Sequence, residues 1–289
     1  MASTQILKSR IRSVKSTKQI TKAMQLVAAS KMRRAQEVTK TSMPYTRAAK
    51  DLLSALGQHA SVQQHPLFAK RAVKNRLLIV IASDKGLAGA YNSNVLKVFA
   101  QQLQANKSNG IKDKTITIGR KAAQFATRIK DVEVLGFYED LPDKPNGLEF
   151  RSILDTIRHE FTSGNVDAVD VIFTEFISSI RQEVQVSRVL PAGCDSVSKD
   201  NAIIDAVYEP SVTEVLDGVA YRLIEAQIFQ ALSDAKASEH SMRMLAMKNA
   251  TDNANDLVDD LTLAMNKARQ GAITQELAEI SGGVEALNE

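Results

Sequence analysis

Tryptophan is absent from this 289-residue sequence and aromatic residues make up only 5% of it, too few for a surface that stacks the bases of single-stranded nucleic acid. The single cysteine, Cys194, cannot form a disulfide within the chain. Four scattered histidines, His59, His65, His159 and His240, give no Cys/His spacing that resembles a zinc site. Neither a metal nor a cofactor is therefore expected. No uninterrupted apolar run exceeds Leu77–Ala82, far below the roughly 18 residues of a membrane span, and no apolar core follows the basic start as a secretory signal would need. Ser/His/Asp, Cys/His and paired-carboxylate arrangements are not evident either, so an active site carried by this chain alone is not expected.

What is present is enough apolar material to fold, 44% of the residues against 24% charged, with a net charge of +4 that hides a strong asymmetry. Residues 1–50 carry twelve Lys/Arg against one acid, Glu37, whereas residues 211–289 carry thirteen Asp/Glu against six Lys/Arg. The basic, serine-rich start also has the character of a mitochondrial transit peptide. Against that reading, its helical pattern does not stop at a cleavage-like site but continues to Val38.

Three zones follow along the chain. In residues 1–60, Leu7, Ile11 and Val14 and then Ile20, Met24 and Val27 recur at helical spacing with Lys and Arg between them, the pattern of a long amphipathic helix with a basic face. The small residues Ala28, Ala29 and Ser30 would let another backbone approach closely. In residues 75–210 the period changes. The run LLIVIA has the length of a buried strand and is followed by the loop SDKGLAGAYN and a helical stretch. The alternation repeats, with strands at Thr115–Ile118, Val132–Tyr138 and Val169–Ile177 and a last strand in EVQVSRVLP, predicting an α/β domain with a Rossmann-like sheet. Residues 211–289 lie beyond the last proline, Pro210, and keep apolar residues at helical spacing throughout. As one helix they would reach roughly 115 Å, against roughly 50 Å for the diameter of a compact globule of this length. Part must project, and its apolar stripe needs a cover. The oppositely charged N-terminal helix is the natural partner, giving an antiparallel coiled coil on an α/β foot.

Three motifs invite a functional reading, each with a plainer one beside it. The loop Ser83–Gly89 has the glycines of a phosphate-binding turn, yet it lacks the third glycine of GxGxxG and the GK[ST] of a P-loop, so a structural turn is the default and a phosphate- or nucleotide-binding enzyme using Gly86 to Gly89 the alternative. Lys31-Met32-Arg33-Arg34 is a nucleic-acid or membrane patch or a solvated helix face, and a bare charge run favours the last. Arg269, Gln270, Thr274 and Glu276 fall close together on about two helical turns. They either face solvent or hydrogen-bond a neighbouring protein.

On these residues the sequence resembles the γ subunits of rotary F-type ATP synthases. The resemblance covers essentially the whole chain, through SRIRSVKSTKQITKAMQLVAASKMRRAQ, SDKGLAGAYN, YEPS and EHSMRMLAMKNATDNANDLVDDLTLAMNKARQGAITQELAEI. The family's C-terminal signature is met at Ile273, Thr274, Glu276, Glu279 and Gly283, with Val284 where alanine is usual. The resemblance implies a non-catalytic rotor: the end helices as a central shaft inside three α and three β subunits, the α/β domain on the ring of membrane c subunits with the ε subunit beside it. Ion flow would turn ring and shaft together and drive ATP synthesis at the β sites, with the complex peripheral on the cytoplasmic side of the bacterial inner membrane and no nucleic acid bound. Met24, Lys31, Arg34 and Arg243 would face the acidic lever loops of β. Arg269, Gln270, Thr274 and Glu276 would lie near the upper contact with α and β, and Tyr208 and Glu209 would face the c-ring.

Overall fold

A computed structural model describes residues 4–56, 62, 65–130, 132–142, 150–193 and 212–288. Its elements in chain order are α1 (Thr4–Leu56), β1 (Asn75–Ile81), α2 (Tyr91–Ser108), β2 (Lys112–Ile118), α3 (Arg120–Ala126), β3 (Glu133–Tyr138), α4 (Arg151–Thr162), β4 (Ala168–Phe176), β5 (Gln182–Leu190) and α5 (Val212–Asn288). The fold class is α/β, with long helices at both ends of the chain around a central sheet. Contacts divide it into two compact units, one made of residues 1–27 with 244–289 and the other of residues 28–243.

The larger unit is built on a five-stranded sheet of order β3-β2-β1-β4-β5. Its first four strands are parallel and β5 closes one edge antiparallel to β4. β1 is central, which explains its unbroken apolar run: a parallel strand covered on both faces has no polar side to alternate with. Leu77, Ile79 and Ile81 point to one face and pack with Val169 and Val171 of β4, Ile153 and Phe161 of α4, and Leu53 of α1. Leu78 and Val80 point to the other, against Val95 and Phe99 of α2 and Ala122 of α3. Gly119, at the β2–α3 turn, has φ +95, and a Cβ there would lie 2.2 Å from the carbonyl oxygen of Ala82. Only glycine allows the β1 and β2 ends to approach so closely.

Within this unit α1 and α5 run antiparallel. Ser42 Oγ lies 2.7 Å from Gln230 Oε1, and Thr46 Oγ1 lies 3.4 Å from the Ala226 carbonyl oxygen, so advance along one helix is retreat along the other. Ala28, Ala35 and Ala49 of α1 are buried, as are Ala231, Ala235 and Ala237 of α5, while Ala29 is half-buried and Ser30 exposed. Close approach thus rests on alanines at helical spacing. α1 also runs straight through Pro44. That residue is exposed, so water can reach the carbonyl that its missing N–H leaves unpaired.

In the smaller unit the two chain ends again pair as helices, with the hydroxyls of Thr21 and Thr251 2.8 Å apart. Among its described residues the buried ones are few: Leu7, Ile11, Met247, Thr251 and Ala254. Apolar side chains are correspondingly left open, including Ile6, Ile20, Leu26 and Val27 of α1 and Leu263, Ile273, Leu277 and Ile280 of α5. No helix among the described residues is long and apolar enough to cross a membrane.

Candidate functional site

In an open sheet of this topology a ligand would enter a crevice beyond the carboxyl ends of the strands. Beyond β1, β2 and β3 that space is filled by the chain itself. Leu232, Ala235, Lys236 and Glu239 of α5 come over the ends of β1 and β2, beside Tyr91 at the start of α2, and leave a void of about 10 Å³. That is room for a single water at most. Tyr91 is 1% exposed, and its hydroxyl has no hydrogen-bond partner. Burial above all, with Glu239 nearby, pushes its pKa well above the ordinary tyrosine value, so it stays neutral.

The loop Ser83–Gly89 is stitched to its surroundings through its own polar groups. Asn92 Oδ1 accepts from the Ser83 amide at 3.1 Å and lies 2.9 Å from Ser83 Oγ, which donates to the Lys85 carbonyl at 2.6 Å. Asp84 accepts from the Arg120 amide and stands 4.0 Å from Lys236 Nζ. Gly89 holds φ +56, and Leu87 beside it takes φ +60. The first is a conformation that glycine adopts at no steric cost. Arg243 of α5 closes the arrangement: Nη2 donates to the carbonyl oxygens of Lys85 at 3.1 Å and Gly86 at 3.3 Å, while Nη1 donates to Glu239 Oε1 at 2.8 Å. Carbonyl oxygens aimed at a guanidinium are the reverse of a phosphate cradle, which offers N–H groups to an anion. The loop is a clamp between α5 and the sheet.

The other residues singled out from sequence fall as follows. Lys31 and Arg34 are exposed on α1, among the buried Met32 and Ala35. Met24 is half-buried in the smaller unit. Arg269, Gln270, Thr274 and Glu276 are all exposed on α5. At about 100° per residue Arg269 and Glu276 share one side of the helix and Gln270 and Thr274 another. Thr274 Oγ1 donates to the Gln270 carbonyl at 3.0 Å, a local bond within the helix. Arg243, by contrast, is turned inward, its side chain 13% exposed. Tyr208 and Glu209 lie outside the described residues, as does Cys194.

Sequence reasoning missed the polar residues that α5 buries in the larger unit. Ser238 Oγ donates to the Thr174 carbonyl at 3.1 Å and Ser241 Oγ to the Ser179 carbonyl at 2.8 Å, while Asp234, Glu239 and His240 are all under 9% exposed. The only available signal was the run Ala235–Ser241, small and polar side chains in succession, which allow a helix to be enclosed on every side.

A profile of the ATP synthase family matches residues 3–287, and the chain is 42% identical over 288 residues to the ATP synthase gamma chain of Macrococcus caseolyticus, covering 99% of this chain and all of that one. This chain belongs to the ATP synthase gamma-chain family. The gamma chain of Ralstonia nicotianae is 40% identical over 292 residues, with the same coverage. Solved structures agree in fold. A chain of the Euglena gracilis mitochondrial ATP synthase, in a structure of its OSCP, F1 and c-ring parts, superposes with a TM-score of 0.73 at 20% identity, covering 99% of this chain and 94% of that one. A chain of the Tetrahymena thermophila mitochondrial ATP synthase, in a structure of its central stalk and c-ring, gives 0.63 at 24% identity, covering 80% of this chain and 99% of that one. As a gamma chain it is a non-catalytic central-stalk subunit of ATP synthase, which is consistent with a strand-end crevice filled by its own helix.

Proposed function

We propose that this chain is the rotor inside a ring of three α and three β subunits, carrying the rotation of an ion-driven c-ring to the catalytic sites of β, with ε beside its α/β domain. The observation that carries this reading beyond family membership is the C-terminal part of α5. Ile273, Leu277 and Ile280 are 49%, 60% and 64% exposed at helical spacing, and every residue of 271–281 is exposed. Helices with an uncovered apolar stripe derive their stability from a partner surface, and a surrounding sleeve of α and β subunits supplies one. In this reading Arg269, Gln270, Thr274 and Glu276 meet α and β, Met24, Lys31 and Arg34 face the lever loops of β, and Tyr208 and Glu209 face the c-ring. Arg243 serves the same collar through the loop it holds. Exposed ion pairs are worth only about 0 to 1 kcal/mol, so contacts of this kind break and re-form cheaply as the rotor turns. The complex then sits peripherally on the cytoplasmic face of the bacterial inner membrane.

Reconstitution tests this. Mixed with α and β subunits from the same source, the chain should co-elute at one copy per three αβ pairs and raise ATPase turnover well above that of α and β alone. Separate elution with unchanged activity would overturn the proposal.

A further inference from the structure

Between Lys236 and Arg243, α5 is held by polar contacts to two separate parts of the α/β domain. The first is the β4–β5 hairpin. Ser238 Oγ donates to the Thr174 carbonyl of β4 at 3.1 Å, and Ser241 Oγ donates to the Ser179 carbonyl at 2.8 Å while accepting from Gln182 Nε2 at 3.3 Å. The turn that carries Ser179 is braced in its own right: the Ile180 and Arg181 amides donate to Ser178 Oγ, and Gln182 Nε2 donates to the Ser178 carbonyl. The second is the Ser83–Gly89 loop, reached by Arg243 through the Lys85 and Gly86 carbonyls and by Lys236, 4.0 Å from Asp84. At about 100° per residue Ser238 and Ser241 stand about 60° apart, Lys236 and Arg243 about 20° apart, and the two pairs lie on roughly opposite sides of the helix. Several of the side chains that α5 buries here are small: Ala235, Ala237, Ser238 and Ser241. Small side chains make shallow ridges and apolar contact is non-directional, so packing alone fixes the turn of such a helix about its axis only weakly. Hydrogen bonds are directional, and two sets on opposite sides resist that turn in both senses.

We propose that Gln182, Ser238, Ser241 and Arg243 form a two-sided torsional lock, positioning residues that fix the rotation of α5 about its own axis relative to the sheet. Torque on the α/β domain then passes into the helix at this point. The lock is a property of this chain alone, and its use in transmission rests on the rotor reading. Its place in the chain suits that use. Arg243 is the last residue of the larger unit, and α5 continues beyond it as one helix to Asn288. A helix twists along any length that is not held, so a lock at the end of the unit leaves the least of it free to absorb the torque. Both holds also end on backbone carbonyls, which belong to the turn and the loop themselves and cannot swing away as a partner side chain could.

Two measurements test this. In the full chain carrying Cys194→Ser, nitroxide labels at Lys97→Cys of α2 and Lys248→Cys of α5 report the azimuth of α5 as a distance distribution in pulsed electron paramagnetic resonance. Holds of similar strength share the stiffness, so removing either one, by Ser241→Ala with Gln182→Ala or by Arg243→Ala, should raise the variance of that distribution about twofold. Removing both should raise it by more than the two separate increases together. Gln182→Ala alone, a change on the hairpin outside the core, should give a smaller rise and checks the lock should a buried variant fold poorly. In the complex assembled with α and β, with β fixed and a bead on the α/β domain, Ser241→Ala with Gln182→Ala should widen the angular fluctuation during the wait for ATP and leave ATPase turnover at the parent value. A purely stabilising contact would leave that fluctuation unchanged. Variance in the isolated chain that none of the variants moves, or that Arg243→Ala alone moves, would overturn the lock. Variance raised in the isolated chain but not in the complex would overturn its part in transmission. A parent complex that does not rotate would overturn the rotor reading, a result separate from the lock.

Discussion

The substitution Asp234→Asn should stabilise this protein, and only at neutral and alkaline pH. Asp234 is enclosed by α1, α5 and the sheet, and burial, reinforced by Glu175, raises its carboxyl from 3.8 to about 7. In the unfolded chain the group ionises near pH 4, whereas in the native state it holds its proton until about pH 7. Between those values the native state binds more protons than the unfolded one. The stability this carboxyl contributes is therefore complete below about pH 4 and is lost progressively as the pH rises to about 7. About three decades of proton affinity correspond to roughly 4 kcal/mol, of which about 2 to 3 kcal/mol should fall between pH 5 and pH 8. Asparagine keeps the oxygen that accepts from Gln230 and carries no charge, so the variant should lack this slope. Urea denaturation followed by circular dichroism at pH 5 and pH 8 gives the difference directly. A stability difference between variant and parent that is the same at both pH values would refute the reasoning. A parent more stable at pH 8 than the variant would refute it equally.

Other consequences follow from the same packing. Arg243→Ala removes the donors to the Lys85 and Gly86 carbonyls and strands Glu239, so it should destabilise the larger unit by about 2 to 3 kcal/mol and speed hydrogen exchange of the amides in residues 83–92. Protection unchanged by the substitution would count against the clamp. Asp170, 3% exposed, accepts from Arg188 Nε and Nη2 and stands 3.5 Å from Arg76 Nε, so Asp170→Ala should cost about 3 kcal/mol in a denaturant series by taking the carboxylate from two half-buried guanidiniums. Gly119→Ala should lower the yield of folded chain sharply, since both the positive φ and the 2.2 Å approach to the Ala82 oxygen oppose a Cβ. Equilibrium dialysis of the isolated chain against Mg-ATP should show no saturable binding at the Gly86–Gly89 loop, whose neighbouring crevice is reduced to about 10 Å³; one mole bound per mole would revive the nucleotide-enzyme reading.

Much of the fold was legible because its elements obey simple periodicities. LLIVIA reads as a strand since β1 is parallel and covered on both faces, and the helical ends read from apolar residues three and four apart. The glycine loop after β1 was visible too. Its purpose was not, because what holds it is a pair of backbone carbonyls 157 and 158 residues from Arg243, and a carbonyl leaves no mark in a sequence. The same limit hid the enclosed part of α5. Ser238, Ser241 and Glu239 look solvent-facing by composition; the serines are buried on backbone carbonyls of β4 and the turn after it, and Glu239 on the guanidinium of Arg243. Pro44 lies exposed inside α1, which continues through it. At Arg269–Glu276 proximity in sequence was plain, whereas the division into two helix sides follows only from the helix angle.

The central claim is that this chain turns within a stationary α and β ring. With the ring fixed to a surface through its β subunits and a bead attached to the α/β domain of this chain, ATP should produce continuous rotation in one direction, advancing in three equal steps per turn at limiting ATP. A bead that stays still while the same complexes hydrolyse ATP at full rate would contradict the account.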